Sequence, residues 1–243
     1  MIIYKGPSNL DGKEIVAIAT GLKLRSENAK TGDMVQVYIL TSEHAPLDAA
    51  KSGADRSICG NCVHRPENGK LGSCYVNLGQ GPTAVYKAYK MGAYKAYCKA
   101  DHLGLFSGRK IRLGAYGDPA AVPIRIWREI TSVASGWTGY THQWRRKSSQ
   151  PLQKFCMASC DSEMDRLEAI RKGWRTFRVL RPDESLLPGE FSCPASAEAG
   201  KRLECADCMA CSGGDSRKVS PAIVVHGLDW KIKRYSELTM QAN

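Results

Sequence analysis

Ten cysteines punctuate the chain, and their spacing is its sharpest chemical signal. Cys205, Cys208 and Cys211 follow at two-residue intervals, with Cys193-Pro194 upstream. Three thiolates so spaced wrap one face of a cubane cluster, and a distant cysteine followed by proline closes it, as in the bacterial ferredoxin run. The spacing predicts a [4Fe–4S] cluster on Cys193, Cys205, Cys208 and Cys211. A closed four-thiolate Zn2+ site is the alternative. Gly213 and Gly214 follow at once and would let the backbone turn tightly.

A second set, Cys59, Cys62 and Cys74, supplies three local ligands in the segment CGNCVHRPENGKLGSC. His64, Cys98 or His102 would complete four. Cys98 is attractive because it would tie a tyrosine-rich helix to this loop. Such a site would hold a second cluster or a zinc ion; with three cysteines alone, one iron would stay open to a substrate. Cys156 and Cys160 begin a CxxxCxxC pattern, but Glu163 stands where its third cysteine belongs.

Other polar groups fall where predicted strands end: Asp118, His142, Asp161 and His226. In α/β folds the carboxyl ends of parallel strands carry the chemistry. Asp118 or Asp161 would serve as a base, and His142 would exchange a proton or orient a phosphate. The stretch from His142 to Lys154 is basic, and Trp144 among Arg145, Arg146 and Lys147 reads as a nucleic-acid contact, a ring to stack with cations for phosphates. A solvated basic loop whose Trp144 covers the core is the plainer reading. No Walker motif, dinucleotide glycine fingerprint, HExxH or Gly-x-Ser-x-Gly is present.

These residues need elements to position them. Branched runs at 14–20 and 35–40 read as strands, and 83–100 reads as a helix with Tyr86, Tyr89, Tyr94 and Tyr97 on one side and Lys87, Lys90, Lys95 and Lys99 adjoining. Beyond it, strands at 111–116, 137–142, 155–159, 174–180 and 222–226 alternate with helices at 123–135 and 162–172. That alternation predicts a single α/β domain over 1–243, a partial or distorted TIM-like barrel with parallel strands. Two cysteine-rich, metal-binding loops interrupt it, at about 41–82 and 188–219.

Of the 243 residues, 43% are apolar and 24% charged, which excludes disorder over most of the chain. The formal charge of +11 favours a polyanionic partner such as nucleic acid. No apolar run approaches a membrane span and the start lacks a secretory pattern, so a membrane is excluded and the cytoplasm expected. Cysteine-rich chains in a reducing compartment use their thiols for metal more than for disulfides. Protein partners leave no mark in the sequence.

The phrases RLGAYGDP (112–119), GWTGYTHQW (136–144), GWRTFRV (173–179) and CPAS…CADCMACSGG (193–214) resemble a cysteine-rich family of bacteriophages and mobile elements, the gene-product-88-like proteins. That resemblance implies a phage or prophage setting and action inside a bacterial host cell. RLGAYGDP is also similar to strand ends of radical S-adenosylmethionine barrels. The sequence as a whole therefore predicts an iron–sulfur protein that binds nucleic acid and processes or modifies it. Two alternatives stand beside it: a non-catalytic, zinc-stabilised nucleic-acid-binding module, and a redox or radical enzyme acting on a small molecule through an open [4Fe–4S] cluster.

Overall fold

Among the described residues, ten strands form two five-stranded sheets. In the first, β1 (Ile2–Pro7), β2 (Glu14–Thr20), β3 (Val35–Thr41), β4 (Lys110–Tyr116) and β5 (Gly136–Thr138) lie side by side in chain order. The second runs β6 (Tyr140–Thr141), β7 (Met157–Cys160), β8 (Thr176–Leu180), β10 (Ser220–Val224) and β9 (Glu190–Ser192). The computed structural model describes all residues except 24–27, 67–68, 70, 198, 201–202, 215–217 and 241–243. Parts of both cysteine-rich loops thus lie outside the described residues.

Strands β1, β2 and β3 pair antiparallel, whereas β3, β4 and β5 are parallel and so is the whole second sheet. The expected strand–helix alternation is therefore present from β4 onward. Neither sheet closes into a barrel among the described residues. Gly139 alone separates β5 from β6, and the sheet breaks there. A Cβ at Gly139 would stand 2.7 Å from Cys156 Sγ and 3.1 Å from the Phe155 carbonyl, so the junction has no room for a side chain.

Among the described residues eight α-helices accompany the strands: α1 (Pro46–Ser52), α2 (Arg56–Cys59), α3 (Gly81–Lys90), α4 (Lys99–His102), α5 (Ile124–Thr131), α6 (Glu163–Arg171), α7 (Cys205–Cys208) and α8 (Asp229–Met240). The helix expected over 83–100 stops near Lys90, because Gly92 takes a left-handed φ of 73° just beyond it. Tyr86 is buried, and Tyr89, Tyr94 and Tyr97 pack against the core. In α5 the register Ile126, Trp127, Ile130 faces inward as its periodicity requires. Ser162 caps α6 by accepting the Asp165 N–H.

Four consecutive residues of β2, Ile15 to Ile18, are completely buried, so this strand is covered on both faces. Trp127, Trp144 and Trp174 are the largest side chains in the core. The 41–82 segment, which carries no long periodic element in sequence, is pinned by α1, α2 and a buried Asp55–Arg65 ion pair. The last helix, α8, has no counterpart in the sequence reading. It sits on the 71–74 segment, where Lys231 Nζ donates to the Cys74 carbonyl at 2.6 Å and Arg234 Nε to that of Leu71 at 3.1 Å.

Candidate metal centre

Strands β6 and β7 run parallel with Thr141 opposite Ala158, so both chains leave the second sheet at one edge. His142 follows β6 and Asp161 follows β7. Beneath them, Asp118 follows β4 and is buried. Its Oδ1 accepts the Ala120 N–H and its Oδ2 the His142 N–H, both at 2.9 Å. Asp118 is therefore a brace that fixes the backbone of His142, and burial raises its pKa. It does not reach the ligand group formed above it.

The third member arrives from the first cysteine-rich loop. His64 Nε2 lies 3.0 Å from Asp161 Oδ2, and His142 Nε2 lies 3.8 Å from the same oxygen. All three ligand atoms fall within 4.8 Å of one another. His64 Nδ1 contacts Ser73 Oγ at 2.6 Å, which orients the ring. Although close to Asp161, buried His64 Nε2 makes no aligned hydrogen bond. Two groups aimed at a common point, rather than at each other, have this relation. Two imidazoles and one carboxylate around one point suit a single borderline cation such as Zn2+.

Tyr235 of α8 covers the His64 ring, with centroids 5.1 Å apart and planes at 18°. Its hydroxyl donates to the Val179 carbonyl at 2.8 Å and lies 3.5 Å from Asp161 Oδ1. Burial opposes ionisation of Asp161, but the His64 and His142 charges outweigh it and hold the carboxyl at about 2. For His64, burial disfavours the cation, and Asp161 more than offsets that, so the pKa is raised. A pocket of about 320 Å3 opens on the group, with Asn61, Cys62, His142, Arg146, Asp161 and Ser162 in its wall.

This geometry corrects the iron–sulfur expectation. Among the described residues, no other three His, Cys, Asp or Glu side chains bring ligand atoms within 4.8 Å of one another. The converging set is His64, His142 and Asp161, a site for one ion, and the [4Fe–4S] assignment to Cys193, Cys205, Cys208 and Cys211 is replaced by it. Those thiols do share a neighbourhood, beside Arg112 and Tyr140, and burial pushes Cys211 up to about 12. Burial likewise pushes Cys62 and Cys74 up to about 11 and Cys59 well above its ordinary value. Cys193 and Cys211 are buried, and Cys59, Cys62, Cys74, Cys205 and Cys208 are half-buried. Cys98 is exposed at the start of α4, and Cys156 and Cys160 are core residues.

The nucleic-acid contact expected at 144–147 is also redrawn. Trp144 is 1% exposed and its indole N–H donates to the Ser159 carbonyl at 2.9 Å, so it has no face to offer a base. Arg145 lies over that ring and pairs with Asp165 and Glu168. Arg146 is half-buried, and Lys147 stays exposed. His226, at the end of the last strand, contacts Lys30 and not the triad.

Sequence reasoning reached His142 and Asp161 through their strand-end positions and considered His64 only as a cysteine partner. It missed Ser73 and Tyr235. The i, i+3, i+7 spacing of Ile232, Tyr235 and Thr239 was the available signal for α8.

Fold and site together define an α/β chain with two β-sheets and a two-histidine, one-carboxylate group fit for a single ion. Comparison with protein-family models, with curated proteins and with solved structures finds no match. No helix among the described residues is long and apolar enough to cross a membrane.

Proposed function

We propose that this chain is a zinc-class, metal-stabilised module that binds nucleic acid. The observation that carries the metal is the convergence of His64, His142 and Asp161 from three separate segments. An ion there would tie the first cysteine-rich loop to the edge of the second sheet, under the cover of Tyr235. The partner is argued from charge. Lys87, Lys90, Lys95 and Lys99 are exposed and make no ion pair among the described residues, on a chain of net charge +11. Ten free thiols fit a reducing compartment such as the bacterial cytoplasm.

Metal analysis of the full chain, after zinc loading and desalting, is expected to return one zinc per chain. A chain that retains none would overturn the reading. For the partner, replacing the four lysines with glutamine is expected to weaken oligonucleotide binding. It should also flatten the slope of log K against log salt, by about 0.7 to 0.9 for each phosphate that is no longer neutralised. An unchanged slope would exclude this face.

One observation favours an enzymatic reading as well. Among the described residues three protein ligands converge, and the pocket opens beside them, the pattern of catalytic rather than closed structural zinc. An ion so held supplies Lewis acidity to an oxygen ligand.

A further inference from the structure

The pocket beside the triad holds two arginines in opposite states. Arg145 is committed: it lies over Trp144 and bonds both Asp165 and Glu168. Arg146 is half-buried, yet its guanidinium makes one hydrogen bond, from Nη2 to the Leu10 carbonyl at 3.3 Å, and no ion pair among the described residues. A partly desolvated cation without a counter-charge is costly, and a bound anion removes that cost.

The acidic groups facing this space are accounted for. Asp165 pairs with Arg145 and accepts the Asp161 N–H, and Asp161 belongs to the triad. With a divalent ion on Asp161, the ion and Arg146 leave about two positive charges unbalanced in the pocket. Ser162 adds a donor: its oxygen accepts the Asp165 N–H, its own proton has no acceptor among the described residues, and the residue is 6% exposed. His64 Nε2, buried and without an aligned partner, marks the same point as one built for a ligand.

We propose that this pocket is a phosphate-monoester subsite, with the ion held by His64, His142 and Asp161 on one side of the dianion, Arg146 on the other and the Ser162 hydroxyl donating to it. Carboxylate ligands carry half that charge and would leave one cation unmatched. At about 320 Å3, the space takes a phosphate with part of the group it is esterified to. The inference rests on the metal reading above and adds to it the class of ligand that the ion receives.

The test titrates zinc-loaded full-length protein with inorganic phosphate by calorimetry, with zinc content measured on the same samples. Binding is expected in the wild type and, in Arg146→Gln, weakened about tenfold or more with one zinc retained, as removal of one charge-assisted hydrogen bond requires. Arg146→Lys should recover part of it, which a merely structural role would not require. Phosphate binding that is absent from zinc-loaded protein, or equal in Arg146→Gln, overturns the subsite and leaves the metal centre standing. Failure to retain zinc overturns both. A second arm compares an oligonucleotide bearing a 5′-phosphate with its 5′-hydroxyl counterpart. Preference for the former assigns the subsite to a nucleic-acid end, and equal affinity beside phosphate binding assigns it to free phosphate.

Discussion

Asp161→Asn is expected to strip the chain of stoichiometric zinc while leaving it folded. The carboxylate is the hub of the triad, since His64 and His142 approach the same oxygen at 3.0 and 3.8 Å. An amide of equal shape keeps the packing under Tyr235 but removes the charge that draws in both imidazoles and the ion. Loss of an outer partner of a metal ligand costs about 10- to 100-fold in affinity. Removal of a ligand should exceed that range, whereas Ser73→Ala, which frees only His64 Nδ1, should fall within it. Zinc competition with a chromophoric chelator measures both. If Asp161→Asn binds zinc as tightly as the wild type, the ion is held elsewhere.

The largest effect on stability is expected at Glu190, which is not a member of the triad. Its side chain is 1% exposed, accepts from Arg178 Nη2 at 2.8 Å and the Leu187 N–H at 2.9 Å, and forms an ion pair with Arg166, whose Nε lies 3.1 Å away. Arg178 is 2% exposed and also donates to the Ser185 carbonyl. Glu190→Ala would leave Arg166 without its counter-charge and Arg178 with only Glu184, 3.6 Å away. Breaking such a pair from one side costs about 3 to 5 kcal/mol. For a chain of this size, that corresponds to a melting temperature lower by about 6 to 20 °C. Urea denaturation and calorimetry would register it. Restoring stability by pairing Glu190→Leu with Arg178→Met would show that the penalty lies in the stranded charge, and a Glu190→Ala variant as stable as the wild type would refute the argument.

Much of the architecture is legible in sequence because it rests on local pattern. The branched runs of β2 and β3, the apolar stripe of α5 and the capped start of α6 each bury one face or cover two, and their periodicity records it. Strands β1 and β9 and helix α8 escape notice for the converse reason. Each is only weakly amphipathic, and α8 is held in part by polar contacts of Lys231 and Arg234 with loop carbonyls, so its Ile232, Tyr235, Thr239 spacing is a faint signal.

The cysteines show how spacing can mislead. Two-residue intervals put Cys205, Cys208 and Cys211 in one short segment, and that proximity is real, but the ligand atoms that meet within 4.8 Å are those of His64, His142 and Asp161. Trp144 is a parallel case: its basic neighbours suggested a stacking ring, and packing made it a core residue.

By itself, the sequence determined that His142 and Asp161 stand just beyond strand ends, that the chain is strongly basic and that an α/β alternation organises its second half. Which groups meet was decided only in three dimensions. His64, His142 and Asp161 belong to a loop and two strand ends, and no interval between them encodes a meeting. Their convergence follows from the parallel pairing of β6 with β7, from Asp118 bracing the His142 backbone and from Ser73 and Tyr235 holding the His64 ring. Those are contacts between segments distant in sequence, set by sheet order and packing, and local pattern carries no record of them.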